Sequence, residues 1–432
     1  MDRRGAAEMK QWITPQALGG TVAAIPSKSQ AHRLMICAAL SNRTAVLQCT
    51  QTSADIEATA ACLRGLDAEV IRENGCYTVR PIDQAKRAAP IAVLDAGESG
   101  STLRFMLPVV GALGASVQFV LHGRLPQRPL SPLWEELEAH GLTLRRDANG
   151  NVYTAGKLQA GEYRLPGNVS SQFISGLLFA LPLLDGNSRI VLTSAVESAS
   201  YLTMTLQALA QFGVQVTHTA DGYAINGKQT YRGAAHCVVE GDWSNAAFAL
   251  CAGALGGNGV TVEGVHRMSA QGDRKVVQLL RSFGAQVSET DTSVTVRPAP
   301  LHGITVDASD IPDLVPVLTA LAAAAQGQTR VIHAERLRIK ESDRLQTVCA
   351  LFRTLGADIT ETADGLCING GKPLHGGCTD AAGDHRIAMT AAVASVLCNG
   401  TVTVQGAEAV NKSYPAFWKD FVALGGRLIT EE

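Results

Sequence analysis

Phe283-Gly284-Ala285-Gln286-Val287 ends an apolar helical stretch, turns at a glycine and opens a β-like run. The same phrase stands at five other places: Leu66-Asp67-Ala68-Glu69-Val70, His140-Gly141-Leu142-Thr143-Leu144, Phe212-Gly213-Val214-Gln215-Val216, Leu355-Gly356-Ala357-Asp358-Ile359 and Leu424-Gly425-Gly426-Arg427-Leu428. Successive turn positions lie 69 to 74 residues apart, so six units of about 72 residues account for all 432. A fixed period is the strongest fold signal a single sequence carries, and this one is too long for a solenoid repeat. Each unit reads as a small βαβαββ module of an α/β protein, and the glycine suits the left-handed residue that ends a helix before a strand. In the first copy Asp67 takes that place.

A chain this long divides its core, so two domains of three units each are expected. Apolar residues make up 46% and charged residues 18% of the sequence, in keeping with a well-buried α/β protein. The formal net charge of −2 argues against general binding to nucleic acid or to a membrane surface. Any anion site must then come from local placement of cations. The ten cysteines are scattered without C-x-x-C or zinc-like spacing, and no secretory leader precedes them. They read as free core thiols of a reducing cytoplasm, and the Met1–Lys10 extension reads as a tail. The apolar runs Leu314–Ala325 and Ile387–Cys398 are shorter than the roughly 20 residues a membrane span needs.

A second set of positions keeps the same period. Ser27-Lys28-Ser29, Gly97-Glu98-Ser99-Gly100-Ser101, Ser170-Ser171-Gln172, Asp242-Trp243-Ser244-Asn245, Asp313 and Asp384-His385-Arg386 each precede an apolar, helix-compatible run. These are helix-start residues, and the six helices they open are expected to be buried on nearly all sides. Helix starts carry unpaired N–H groups and roughly half a positive charge, so several pointing one way favour an anion. Together they suggest an anion-binding cleft between the two domains.

Cations stand near these starts: Lys28, Arg33 and Arg104, then Arg128 before Pro129, Arg386, Lys412, and the dense run Arg338-Ile339-Lys340-Glu341-Ser342-Asp343-Arg344. Guanidinium forks match carboxylates and phosphates two bonds at a time. An unliganded site of this kind is expected to carry excess positive charge that the first anion relieves. Two carboxylates fall among the cations. Asp313 opens an almost wholly apolar helix, where burial would raise its pKa and cations would lower it, and the sequence leaves that contest open. Glu341, between Lys340 and Arg344, is expected to stay ionised until substrate anions arrive. No P-loop, G-x-G-x-x-G after a strand, H-E-x-x-H or G-x-S-x-G is present, so nothing implies a metal, nucleotide or nicotinamide cofactor.

Taken in order, Pro26-Ser27-Lys28-Ser29 with Arg33, Gly97–Arg104, Arg128-Pro129, Val169-Ser170-Ser171-Gln172, Lys340–Arg344, Asp384-His385-Arg386 and Lys412 resemble the bacterial 5-enolpyruvylshikimate-3-phosphate synthases. The resemblance runs from about Thr21 to the C-terminus. It implies two inside-out α/β domains of three repeats each, with residues 1–20 joining 240–432 and residues 21–239 forming the other. It implies transfer of the enolpyruvyl group of phosphoenolpyruvate to the 5-hydroxyl of shikimate 3-phosphate, with release of phosphate, through a tetrahedral intermediate and without a cofactor.

By the same resemblance Lys28, Ser29, Arg33, Ser170, Ser171, Gln172, Ser198, Asp313, Arg336 and Lys340 hold shikimate 3-phosphate. Lys28, Glu98, Gly100, Arg128, Gln172, Arg344, Arg386 and Lys412 hold phosphoenolpyruvate. Asp313 handles the hydroxyl proton and Glu341 the methylene proton, with Lys28 or Lys412 as alternative sources of the latter and His385 beside Glu341. Glu98 and Arg336 depart from the asparagines common at those positions. Gly100 is kept where a side chain would crowd phosphoenolpyruvate, which implies inhibition by glyphosate. A cytoplasmic monomer in the route to chorismate and aromatic amino acids is implied. The rival acceptor is UDP-N-acetylglucosamine, used by a sister transferase whose mobile loop commonly carries a Cys; Leu121–Pro132 has none. A non-catalytic anion-binding relative is the other alternative, disfavoured by the two carboxylates among the cations.

Overall fold

In the computed structural model, which describes residues 9–83 and 91–429, all six turn positions adopt positive φ. The values are 66° at Asp67, 98° at Gly141, 73° at Gly213, 110° at Gly284, 88° at Gly356 and 95° at Gly425. Five are the residue that meets this backbone without a Cβ clash, and Asp67 is among the few side chains that tolerate it.

Twelve α-helices follow in chain order: α1 (Lys28–Leu40), α2 (Ala54–Arg64), α3 (Gly100–Ala112), α4 (Leu133–Ala139), α5 (Ser171–Ala180), α6 (Ala199–Gln211), α7 (Trp243–Leu255), α8 (Val276–Phe283), α9 (Val315–Ala324), α10 (Arg344–Thr354), α11 (His385–Ala394) and α12 (Phe417–Ala423). The strands form six four-stranded sheets of one pattern. In Ala92–Gly97, Val117–Leu121, Val152–Gly156 and Leu142–Arg146, the first pair is parallel and the next two pairs are antiparallel. That order is the βαβαββ module.

The chain divides into two compact units, residues up to Ile25 with those from Glu240 onward, and Pro26–Val239. Each has its own apolar core. Strand pairing shows how the modules are completed. Gly19–Ala23 runs parallel to Gly259–Glu263, which places it in the first unit and moves the crossing to Ile25 rather than residue 20. Lys10–Thr14 pairs with both Val402–Gln405 and Arg427–Ile429, and His236–Val238 pairs with Ala45–Gln48. Three modules thus borrow a strand from a distant part of the chain. Of the N-terminal extension, residues 1–8 lie outside the described residues, and Lys10 begins a strand rather than ending a tail.

The helices that open each module are buried almost all round, as their small apolar residues suggest; every residue of α11 is buried. Five of the six start clusters supply a side-chain cap: Ser27, Ser99, Ser170, Asp242 and Asp384 each accept a backbone N–H of their helix. Asp313 differs. It lies inside a 3-10 turn, Pro312–Leu314, and the residue at the start of the helix that follows is Leu314. Among the cysteines seven are buried, but Cys378 is exposed on the edge strand Gly377–Asp380, contrary to the expectation that all ten lie in cores. Among the described residues no helix is long and apolar enough to cross a membrane.

Candidate active site

The Asp313 carboxylate is bonded to cations from two other elements of its unit. Arg344 Nη1 donates to Oδ1 at 2.7 Å and Arg386 Nη2 to Oδ2 at 3.1 Å, while Lys340 Nζ stands 3.5 Å from Oδ1. Arg386 also donates to the Asp313 carbonyl at 3.1 Å. The contest left open by the sequence is thereby decided. Burial alone would push the Asp313 carboxyl up, but Arg386, Lys340 and Arg344 together hold it well below the usual carboxylate range. Asp313 is ionised at neutral pH.

Arg344 is the hub of this cluster and is 1% exposed. Besides Asp313 it donates to Glu341 Oε2 at 2.9 Å and, through Nε and Nη2, to Asp384 at 2.7 and 3.1 Å. Burial works against its charge, yet Asp384, Glu341 and Asp313 more than offset that and keep its pKa above the ordinary arginine value. Asp384, fully buried, also accepts Ser342 Oγ at 3.0 Å and the Arg386 N–H at 3.0 Å. It caps α11 through the Arg386 backbone N–H and orients the Arg344 guanidinium. His385 Nδ1 lies 3.8 Å from its Oδ1. Lys340 is lowered to about 8 by burial, against the pull of Asp313. Arg336 donates to the Ser309 carbonyl at 3.2 Å, and Lys412 is buried at the end of the 3-10 segment Ala407–Lys412.

Charge in this unit is therefore matched rather than in excess. Arg344, Arg386 and Lys340 face Asp313, Glu341 and Asp384, three cations against three carboxylates. These pairs carry no surplus, and Arg336, whose charge acts on Lys340, and Lys412 lie outside the count.

The other unit brings together the second group of predicted residues. Lys28 Nζ donates to Asp55 Oδ2 at 2.9 Å, on the first turn of α2. Arg33, 2% exposed, meets neutral partners: Thr205 Oγ1 at 2.8 Å, the Ser29 carbonyl at 2.7 Å and the Tyr201 carbonyl at 3.0 Å, with Phe105 beneath its guanidinium at 5.0 Å. Burial lowers its pKa to about 10, so it stays charged. Ser198, at φ 55°, starts α6, whose residues Tyr201 and Thr205 hold Arg33.

Arg104 donates to Gln172 Oε1 at 2.6 Å and Gln172 Nε2 to Ser101 Oγ at 2.9 Å, so the starts of α3 and α5 lie side by side. A Cβ on Gly100 would stand 2.8 Å from Arg128 Nη1 and 3.3 Å from Arg104 Nη1, so two guanidiniums occupy the space the missing side chain leaves. Glu98 is exposed and packs against Gly123, where a Cβ would collide with its carboxylate. A buried chain ties these starts to α1: His32 Nδ1 to Thr59 Oγ1 at 2.6 Å, Thr59 to Thr102 at 2.7 Å, Thr102 to Ser99 at 2.8 Å. Burial drives His32 down to about 3, so the chain is neutral.

Sequence reasoning missed Asp55 and gave no role to Asp384. Asp55 follows Ser53 at the start of α2, and a carboxylate in a first turn reads as ordinary helix-start chemistry. Among the described residues no group of His, Cys, Asp and Glu is arranged to hold a metal ion.

A six-module α/β scaffold whose helix starts gather fixed cations around an ionised carboxylate defines a class of enzyme that handles small anionic substrates by acid–base chemistry. Comparison narrows that class. Residues 13–421 match the family model described as EPSP synthase (3-phosphoshikimate 1-carboxyvinyltransferase), and the chain belongs to that family of transferases. A 3-phosphoshikimate 1-carboxyvinyltransferase of Clostridium kluyveri is 41% identical over 418 residues, 96% of this chain and 97% of that protein. One of Clostridium perfringens is 41% identical over 97% of this chain and 99% of its own. Among solved structures, EPSP synthase of Acinetobacter baumannii superposes with a TM-score of 0.80 at 25% identity, covering 98% of this chain and all of that one. The enolpyruvyl transferase NikO of Streptomyces tendae shares the fold, with a TM-score of 0.78 at 17% identity.

Proposed function

We propose that this protein transfers the enolpyruvyl group of phosphoenolpyruvate to the 5-hydroxyl of shikimate 3-phosphate and releases phosphate, in the route to chorismate and the aromatic amino acids. The observation that carries the reading is Asp313, a buried carboxylate kept ionised by Arg344, Arg386 and Lys340. A base of this kind accepts the 5-hydroxyl proton as the oxygen attacks C2 of phosphoenolpyruvate. Glu341, which takes up a proton from solvent as the substrate anions arrive, delivers it to the methylene carbon, which becomes a methyl group, and the product of addition is a tetrahedral intermediate. In the elimination the methyl returns a proton to Glu341, the C2–O bond to phosphate breaks, and inorganic phosphate leaves with the proton that Asp313 had taken.

Lys340, Arg336, Arg33, Ser29, Ser170, Ser171, Gln172 and Ser198 hold shikimate 3-phosphate. Arg344, Arg386, Lys412, Arg128 and the space at Gly100 receive phosphoenolpyruvate, and Lys28 serves both. Pre-set cations of this number stabilise the charge that develops at C2 and on the leaving phosphate. Glyphosate competes for the phosphoenolpyruvate subsite, and the enzyme works as a cytoplasmic monomer.

The test is phosphate release from phosphoenolpyruvate with shikimate 3-phosphate and, in parallel, with UDP-N-acetylglucosamine. Turnover with the first acceptor alone, reduced at least a thousandfold in Asp313→Ala, is expected. Turnover with the second acceptor, or full activity in the variant, refutes the reading.

A further inference from the structure

One buried carboxyl in the first unit has no part in the chemistry above. Asp273, in the 3-10 segment Gly272–Lys275, is 3% exposed. Among the described residues its single hydrogen bond comes from the Ser244 hydroxyl, on the first turn of α7, and no cation stands within 4.0 Å. An ionised carboxylate so placed lacks the pairing that buried charge requires, whereas a protonated one does not.

Its surroundings tie it to the site. The 3-10 segment packs on α7, which meets α9, α11 and the Pro312–Leu314 turn. The charged groups that act on Asp273 from these elements are Asp242 at the start of α7, Asp313 in the turn and Arg386 on α11. On its own segment Arg274 and Lys275 turn to Glu289 and Asp310. Burial and the Asp313 charge raise the Asp273 carboxyl to about 7, against Arg386 and the Ser244 hydroxyl. Two neighbouring carboxyls are thus pushed apart, one ionised and one able to keep its proton at neutral pH.

We infer that Asp273 is a positioning residue for the reaction: it holds a proton behind Arg386 and Asp313, so that Asp313 stays the ionised member of the pair and Arg386 keeps its charge for the incoming anion. The inference rests on the proposed function, in which Arg386 receives phosphoenolpyruvate. Once Asp273 loses its proton, its charge opposes the anion through Arg386. An anion arriving at Arg386 removes the cation that favours ionised Asp273, so binding draws a proton onto it.

Two measurements on the full-length protein test this, one of them independent of turnover. The first is thermal unfolding of wild type and Asp273→Asn from pH 4.5 to 8. The unfolded chain binds fewer protons at this position than the folded protein across that window, so the contribution of Asp273 to wild-type stability falls with rising pH while the amide does not titrate. The variant's Tm relative to wild type should therefore climb by several degrees. A constant difference overturns the inference whatever reaction the enzyme performs. The second is kcat/KM for phosphoenolpyruvate at saturating acceptor. The ratio of Asp273→Asn to wild type should rise at least tenfold between pH 6.5 and 8.5. Ser244→Ala, which removes a donor that favours the ionised form, should move the wild-type alkaline limb to higher pH. A ratio independent of pH, with an unmoved limb in Ser244→Ala, overturns the role. Failure of wild type to release phosphate would instead refute the proposed function and leave the Tm result to decide on the carboxyl itself.

Discussion

Asp384→Asn changes one oxygen to an amide in a site with no solvent to absorb the error. The Asp384 oxygens accept four donors: Arg344 Nε at 2.7 Å, Arg344 Nη2 at 3.1 Å, Ser342 Oγ at 3.0 Å and the Arg386 N–H at 3.0 Å. An asparagine keeps one acceptor oxygen and turns an NH2 group toward the remaining donors. Removing one partner from a buried ion pair costs about 3–5 kcal/mol. Arg344 retains Asp313 and Glu341, and asparagine caps a helix nearly as well as aspartate, so the low end, about 3 kcal/mol, is expected. Three of the four tryptophans, Trp12, Trp243 and Trp418, belong to the first unit, so urea unfolding followed by fluorescence in a Trp134→Phe background reports on that unit. The same loss of orientation should weaken phosphoenolpyruvate through Arg344, raising its KM by about a hundredfold if the full 3 kcal/mol is expressed in binding. A stability change under about 0.5 kcal/mol, the scale of an ordinary surface substitution, with KM unmoved, would refute the account of Asp384 as the orienting carboxylate.

Gly100→Ala places a methyl 2.8 Å from Arg128 Nη1 and 3.1 Å from its Cζ. The clash is with the end of a flexible side chain rather than backbone, so the guanidinium gives way. Stability should change by less than about 1 kcal/mol while KM for phosphoenolpyruvate and the inhibition constant of glyphosate both rise several-fold; unchanged constants would refute the crowding. Lys340, lowered to about 8, is cationic below that pH and loses its proton above it. Solvent at its 27% exposed side chain limits the shift. Shikimate 3-phosphate, already a dianionic phosphate ester at pH 7, should bind about tenfold more weakly at pH 9 than at pH 7. Titration calorimetry across that range should show the loss in wild type and not in Lys340→Arg. An equal loss in both assigns the limb elsewhere.

How much of this was legible in the sequence differs between fold and site. The six turns were readable because a left-handed residue after a helix selects glycine at one position, so Gly141, Gly213, Gly284, Gly356 and Gly425 announce themselves. Strand exchange was not, because hydrophobic period says that Lys10–Thr14 and Gly19–Ala23 are strands but not which sheet lacks one. The boundary at residue 20 went wrong for that reason. Cations at helix starts were visible as residue types. Their partners were not: Asp55 meets Lys28 across 27 positions, and Asp384 meets Arg344 across 40. Nor could the sequence distinguish Asp313, which lies inside a 3-10 turn, from the five residues at equivalent positions that cap. The distinction depends on Pro312–Leu314 forming a 3-10 turn and on Arg344 and Arg386 lying within reach.

The paired charges change what substrate binding must accomplish. Bare cations would attract any anion. Arg344, with three carboxylates around it, gains little from a fourth unless that anion also engages Arg386 or Lys340, or unless a proton enters the cluster. A monovalent anion offers one contact and meets Asp313 and Glu341 as repulsion. In the proposed reaction phosphoenolpyruvate, whose carboxylate and phosphate are both carried on C2, would reach two cations at once and repay the loss of both. Matched charge thus works as a filter against simple anions, and it keeps Asp313 ionised while the site is empty. It also makes the buried proton at Asp273 consequential: with cations and carboxylates already balanced at three each, the ionisation of one further carboxyl decides whether the cluster opposes an incoming anion or accepts it.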